Sequence, residues 1–478
     1  MAAIELKANL SPLVDAMVAG DNTRILTEVE NLLKQGDHAD VLIGRIGLLA
    51  APGDTTGQTI LALDAAAMLC RYLQSIPQPV EGEISLAERA FPLFAQAMFI
   101  AAPAVRAGRD VQVTLPEPIY PSGLGDNGSV TDEMRKAVAD GNVERTEQLM
   151  LGLHGTGADY RSLEVRTYDS ISTSFHSEGH ALMDAARGFQ LLDVVEWGER
   201  VPTIIHWLAP KVALPPGTPQ PEWVQAVQTF AKNNSMESIR TRIAAPKNVN
   251  ALPLRELILS DADTTQVCQG VYNAVVPNGA SSQGTASVIA LAAADVMSQV
   301  NDGERDIFVR VAHGLLFASA IRLVFHEVQD TDALPLLYTS ASYINALYKQ
   351  TVAEKHTAAT PMPATSSQII GGGLIAPAQL DTLRAQLLGQ DANGALTTVR
   401  RYLMLNHDPR ALWAILGLAA AETDGTADQG HTLQIVQAAS EEYLSWPRDL
   451  ATTNIDMFLQ VAIRAAAFGT RDTRLANS

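Results

Sequence analysis

One helical phrase recurs four times along the chain, and that recurrence constrains the fold more than any single motif. LSPLVDAMVAGDNTRILTEVENLLKQG, near the start, reads as two helices parted by a break at Gly20-Asp21-Asn22. Ser11 is placed to cap the first helix, and Pro12 falls in its first turn, where a missing N–H costs nothing. The phrase returns as VTDEMRKAVADGNVERTEQLMLGL from Val130, LPLRELILSDADTTQVCQGVYNAV from Leu252 and APAQLDTLRAQLLGQDANGALTTVRRYLML from Ala376. Its break residues, Asn22, Asn142, Asp263 and Asn393, are separated by 120, 121 and 130 positions. A unit of this kind cannot bury its apolar face alone, so copies must stack.

A second landmark follows each break: an apolar, Ala-rich helix opened by a polar residue after a small one. The copies are GQTILALDAAAMLCRYL from Gly57, GHALMDAARGFQLLDVV from Gly179, AHGLLFASAIRLVF from Ala312 and GHTLQIVQAASEEYLSW from Gly430. From break to polar residue the counts are 36, 38, 50 and 38, so the third copy carries about a dozen extra residues, expected in GASSQGTAS near Gly279. Breaker-rich connections such as TLPEPIYPSGLGDNG, LPPGTPQPEW and HTAATPMPATSSQIIGGG separate the copies, and Gly371 to Gly373 mark the last as a linker. Ala and Leu are strong helix formers, aromatics are only 5%, and VQVTL at Val111 is too isolated a strand signal to build a sheet. The expectation is an all-α fold of four pseudo-repeated helical units, 1–125, 126–245, 246–360 and 375–478, packed as an α-solenoid-like or closed helical array of roughly five helices per unit.

The charge balance narrows the partners. A net charge of −18 with no basic stripe argues against nucleic acid and against an anionic membrane surface. No apolar run reaches about 18 residues, which argues against a membrane span. MAAIELKANLSPL lacks a basic segment followed by an apolar core, so a cytoplasmic protein with a small-molecule substrate is expected, its oligomeric state left open. Cys70 and Cys268 lie in separate helical patterns and read as buried free thiols.

The landmark position holds Gln58, His180, His313 and His431, so three of four copies place imidazole at one equivalent point in a chain with only 10 histidines. If the units close on a common centre, these rings converge. His176 lies one turn before His180 in the sequence, and an i,i+4 pair on a helix would point both rings one way. His176, His180, His313 and His431 are therefore candidate metal ligands, with iron or copper oxygen chemistry favoured over structural zinc. Glu178, between the pair, is expected to project elsewhere. Asp184, His154 and His326 are candidate outer partners of the ligands, with His206 and Asp169 beside them. Phe175, Phe317 and Trp207, with Phe189, are candidate walls of a substrate pocket. The competing reading is that each histidine caps a helix or fills a polar gap, because HxxxH without a helical Glu is not a zincin pattern. No dinucleotide-binding, phosphate-loop or nucleophile-elbow motif is present.

AHGLLFASAIRLVFHEVQDTDALPLLYTSASYINALY, from Ala312 to Tyr348, resembles the questin oxidase-like family through His313-Gly314-Leu315-Leu316, Ala318 and Arg322. His180-Ala181-Leu182 is similar to a second histidine-bearing helix of that family. The resemblance implies an all-helical oxygenase acting on aromatic polyketide-type molecules. It implies non-haem iron (Fe) on histidines for some members and reduced nicotinamide (NADPH) for others. His180 and His313 match by motif, while His176 and His431 enter from the repeat alone. Gln58 departs from the pattern. Two functions stay open: a metal-dependent oxidoreductase, or a helical-repeat scaffold that binds a protein partner or an apolar ligand. The distance between the landmark histidines separates them.

Overall fold

The computed structural model describes residues 8–475 apart from 37, 80–82, 125–128, 158–159, 214, 216, 236–238, 240–250, 328–330, 355–375, 448–449 and 451–454. His356, the Gly371 to Gly373 run and the three expected junctions between units lie outside the described residues. Among the described residues the chain forms 21 α-helices and no strand, with one isolated bridge between Thr423 and Arg471.

The helices follow in four stretches. The first holds α1 (Ser11–Ala19), α2 (Asn22–Lys34), α3 (Ala39–Ala50), α4 (Gln58–Cys70) and α5 (Leu86–Gly108). The second holds α6 (Val130–Ala139), α7 (Val143–Gly155), α8 (Tyr160–Ile171), α9 (His180–Val195), α10 (Val201–Val212) and α11 (Glu222–Asn233). The third holds α12 (Pro253–Ile258), α13 (Thr264–Val275), α14 (Ser282–Ser298), α15 (Arg305–Glu327) and α16 (Pro335–Ala353). The last holds α17 (Ala376–Leu388), α18 (Ala392–Met404), α19 (Pro409–Ala421), α20 (His431–Leu444) and α21 (Asp456–Phe468).

Each break is a helix stop followed by a capped start. The Asp21 carboxylate accepts the Arg24 N–H at 3.0 Å, Asn142 Oδ1 accepts that of Arg145 at 3.0 Å, Asp263 that of Gln266 at 2.8 Å, and Asp391 that of Gly394 at 2.9 Å. In the first and last stretches the capping group thus precedes the expected Asn22 and Asn393 by one and two residues. Ser11 does not cap α1. It lies inside the helix, and its N–H donates to Asn9 Oδ1 at 3.0 Å. Residues 111–115 form no strand, and Val111, Val113 and Leu115 are exposed.

The extra residues of the third stretch lengthen helices rather than a loop. Ser281 caps α14 through the Gly284 N–H at 3.0 Å, α14 runs 17 residues against 12 in α3, and α15 begins two turns ahead of His313.

The four landmark helices pack in a closed ring: α4 on α9, α9 on α15, α15 on α20, and α20 back on α4. Small residues permit the approach. A Cβ on Gly57 would overlap the Asp184 carboxyl, one on Gly179 would overlap the Phe317 ring, and one on Gly430 would overlap Ala62 Cβ. Each of these neighbours lies four residues beyond the landmark residue of the next helix around the ring.

The ring helices also run in one direction. The landmark residues Gln58, His180, His313 and His431 meet, and so do Asp64, Arg187, Arg322 and Glu441, which follow them by 6 to 10 residues. Arg187 Nη1 donates to Glu441 Oε2 at 2.9 Å and lies 3.9 Å from Asp64 Oδ2. Arg322 Nε donates to Glu442 Oε1 at 2.7 Å, and its Nη2 lies 3.6 Å from Glu441 Oε2. Gln437 Nε2 ties Asp64 to Glu441 at 3.2 and 2.9 Å. All these charged groups are buried, so the ring is held by a charge network as well as by Leu and Ala.

Residues 86–108 of α5 and 305–326 of α15 are long and apolar enough to cross a membrane, contrary to the expectation that no segment would be, but 72% and 78% of their apolar windows are buried in the fold. Cys70 and Cys268 are free and buried.

Candidate metal centre

The ring brings three of the four candidate ligands together. His313 and His431 Nε2 stand 3.3 Å apart. The His180 ring lies edge-on to His313 with centroids 5.3 Å apart, and His313 to His431 is 5.0 Å. Gln58, the fourth landmark residue, closes the set: its Nε2 is 3.1 Å from His180 Nε2, and its Oε1 accepts Gln434 Nε2 at 3.3 Å.

Local backbone decides which nitrogen of each ring is free. His313 Nδ1 donates to the carbonyls of its own helix, Val309 O at 3.1 Å and Arg310 O at 3.3 Å, and Glu178 Oε2 stands 3.1 Å away outside hydrogen-bond geometry. His431 Nδ1 donates to the Asp428 carbonyl in the turn ahead of α20. Both rings therefore carry the Nδ1–H tautomer, and each presents an Nε2 lone pair to the other. Two facing lone pairs repel unless a proton or a metal ion lies between them. Nδ1–H to carbonyl with Nε2 free is also the arrangement that orients a metal-ligating imidazole. A proton is a poor bridge here, because burial holds both His431 and His313 below the usual histidine range, and the His313 imidazole lowers His431 further.

His176 is not on the same helix as His180. It lies in extended backbone, α9 begins only at His180, and its Nε2 is 3.2 Å from Lys211 O. The residues between form a tight turn with three successive left-handed conformations, Ser177 (φ 47°), Glu178 (φ 56°) and Gly179 (φ 89°). That turn sends Glu178 toward His313, the opposite of the expected direction. The helical i+2 rule does not apply to backbone that is not α-helical, and Gly179 just ahead of His180 was the available signal. Among the described residues, no group of three or more His, Cys, Asp or Glu is placed to hold a metal ion. The His313–His431 pair comes to ligand spacing, while His180 stands beside it with its Nε2 engaged by Gln58.

The outer residues divide. Asp184 is buried behind His180, with Oδ1 unpartnered and its carboxyl against Gly57. Burial pushes its pKa well above the ordinary carboxylate range, against the attraction of Lys211. Beside it the Asp54 carboxylate accepts the Gly57 and Ile60 N–H groups at 3.1 Å each, and Trp207 Nε1 at 3.3 Å. Trp207 thus packs at this polar corner. His326 cannot reach the centre. It lies 13 residues past His313 on one straight helix, about 20 Å away, where Gln283 Nε2 meets its Nδ1 at 3.3 Å. His154 ends α7 and stacks on Tyr160 at 6.1 Å, His206 pairs with Glu147 at 2.7 Å, and Asp169 pairs with Arg135 at 2.7 Å. Phe175 and Phe317 pack edge-to-face at 5.6 Å, and both touch Tyr343, so these rings fill the space beside the Gly179 turn. Phe189 stacks on Trp197 instead.

The buried His180 makes the protein acid-sensitive. Burial, then His313, His431 and His176, push His180 down to about 3. The unfolded chain takes up this proton near pH 6.5, so stability is full above that pH and falls as pH drops toward 3. Thermal melts across this range should show that slope, and His180→Gln should flatten it.

No protein-family model, no curated protein and no solved structure matches the chain.

Proposed function

We propose that the chain is a metal-dependent oxidoreductase whose ion is held between the repeats by His313 and His431, with His180 as a third ligand. The observation that carries this reading is the approach of His313 Nε2 and His431 Nε2 to 3.3 Å while both Nδ1 atoms face backbone carbonyls. His180 joins when Gln58 releases its Nε2. His176 is the least favoured of the candidate ligands, because its Nε2 already meets a backbone carbonyl. The four units are read as copies of one module around this centre, which the cyclic Gly57, Gly179 and Gly430 contacts support.

Imidazole nitrogens suit iron, and a bound iron would supply the oxygen activation expected of a questin oxidase-like oxygenase, with NADPH as an electron source. The chain's own residues set the surroundings. Asp184 lies buried on the far side of His180, where burial pushes its carboxyl above the ordinary carboxylate range. Phe175, Phe317 and Tyr343 place an aromatic surface against the turn that carries His180, a neighbour suited to an apolar aromatic or polyketide-type substrate. Such a molecule must displace part of that cluster to enter.

The test is metal binding. Purified protein reconstituted with Fe(II), or with Co(II) as a spectroscopic probe, should bind one ion per chain and show nitrogen-ligand spectra. A His313→Ala, His431→Ala double variant that keeps its helical circular dichroism should lose that binding. Wild-type protein that takes up no metal, or a variant that binds equally well, overturns the proposal. It would leave the scaffold reading, in which the histidines fill a polar gap in a binding array.

A further inference from the structure

Gln58 differs from the three imidazoles at its ring position in carrying a donor and an acceptor on one flat amide, and its neighbours fix which end points where. A backbone carbonyl only accepts, so Gln429 O, at 3.4 Å, takes one N–H of the Gln434 side-chain amide. The same Gln434 Nε2 donates its other hydrogen to Gln58 Oε1 at 3.3 Å. With its oxygen engaged there, Gln58 turns its amide nitrogen to His180, Nε2 to Nε2 at 3.1 Å. An amide nitrogen only donates, so His180 Nε2 accepts and the ring proton sits on Nδ1. His180 Nδ1 is buried and has no hydrogen-bond partner among the described residues, so no competing group at that nitrogen chooses the tautomer. His313 and His431 differ in this respect, because carbonyls of their own turns take the Nδ1–H.

We infer that Gln58 is the positioning residue of His180: a one-way amide relay, from the Gln429 carbonyl through Gln434 to Gln58, holds the ring in its Nδ1–H form with the Nε2 lone pair available, and gives up that nitrogen when an ion arrives. The relay crosses three helices of the ring, α20, α4 and α9, so the tautomer of His180 depends on ring closure and not on its own turn. The release step rests on the metal reading, and the tautomer rests on hydrogen-bond direction alone. The glutamine that breaks the histidine pattern of the repeat thus has a job no fourth imidazole could do on the same terms. A neutral imidazole carries one N–H, which it could give either to His180 or to another acceptor, and it could not accept from Gln434 and donate to His180 through adjacent atoms of one amide.

Gln58→Glu tests the relay, because it keeps the length and shape of the side chain and replaces the donor with an acceptor. In metal-free protein at neutral pH, side-chain 15N NMR should show His180 Nε2 unprotonated in wild type and protonated in Gln58→Glu. Gln58→Leu offers neither donor nor acceptor and should give a mixture of the two tautomers, which covers the case in which the glutamate variant does not fold. His313 and His431 should keep the Nδ1–H form in all three proteins, a pattern that a loss of packing would not produce. His180 protonated at Nε2 in wild type, or held purely as Nδ1–H in both variants, overturns the inference. Titration of wild type with Zn(II), a diamagnetic probe, should then shift the Gln58 side-chain amide signals as their hydrogen bond to His180 is lost. Zn(II) that binds while those signals stay unmoved overturns the release step. Protein that binds no Zn(II) defeats the metal reading instead, and the tautomer comparison still decides whether Gln58 positions the ring.

Discussion

Arg187→Ala should destabilise the protein by about 3–5 kcal/mol, the usual cost of leaving one partner of a buried ion pair unpaired. Arg187 is the hub between three ring helices. It donates to Glu441 from α20, lies beside Asp64 of α4, and its Nη2 reaches Ser319 Oγ of α15 at 3.3 Å. Without it, Glu441 keeps, among the described residues, the more distant Arg322 and two amides in a nearly buried site. Burial already pushes Asp64 up to about 8 and Glu442 up to about 7, while Arg187 and Arg322 hold Glu441 below its ordinary range against the same burial. The sign for Asp64 follows from its raised value: its contribution is fully present below the unfolded value near 3.9 and is lost as pH rises through about 8. The Arg187→Ala loss should appear as a lower denaturant midpoint. An Arg187→Met, Glu441→Met pair, which removes both charges together, should cost distinctly less than Arg187→Ala. A single variant within 0.5 kcal/mol of wild type, on the order of a neutral surface change, would show that the network contributes nothing to the closure.

Gly430→Ala should cost about 2–5 kcal/mol and, on the proposed metal reading, weaken Co(II) uptake with it. Gly430 holds φ 76°, where a side chain adds roughly 1–2 kcal/mol of strain. Its new methyl would collide with Ala62 across the joint between α20 and α4, adding an overpacking cost of about 1–3 kcal/mol. This joint closes the ring, and it sits one residue before His431. A calorimetric melt and a Co(II) titration on the same variant check both parts. If Ala62→Gly in the same chain does not recover stability, the collision is not the cause.

The all-helical class and the recurring two-helix phrase were legible because apolar spacing and capping residues act locally. Asp263 and Asn142 fell where the breaks did, and Asp21 and Asp391 did the same work a residue or two upstream. The convergence of His180, His313 and His431 was legible only as a conditional, since repeat arithmetic makes positions equivalent without saying whether the array closes. Closure depends on glycine and alanine contacts between elements more than 100 residues apart, such as Gly430 on Ala62. Glu178 was misread because a helical register was extended through a turn that breaks it. The buried Arg187–Glu441–Arg322–Glu442 network was missed because charged residues in Ala-rich helices ordinarily face water. Arg187 nonetheless sits between Ala186 and Gly188, both on packed faces of α9, and that was its visible signal. His326 was placed near the centre by its apolar surroundings, when the straight run of α15 already set it remote.

The common direction of the ring helices has an electrical consequence. Gln58, His180 and His431 are first residues of their helices, so three positive helix ends gather at the imidazoles, each equivalent to roughly half a charge, and the Asp54 and Asp428 carboxylates accept amides at two of them. That pole repels a bare cation by at most about 1 kcal/mol per helix, far below the roughly 10–16 kcal/mol that coordinate bonds supply in structural zinc sites. If an ion lodges there as proposed, its nitrogen ligands and not the helix ends would hold it, and the α9 end, which has no side-chain cap, would favour an anion at a coordination position left open.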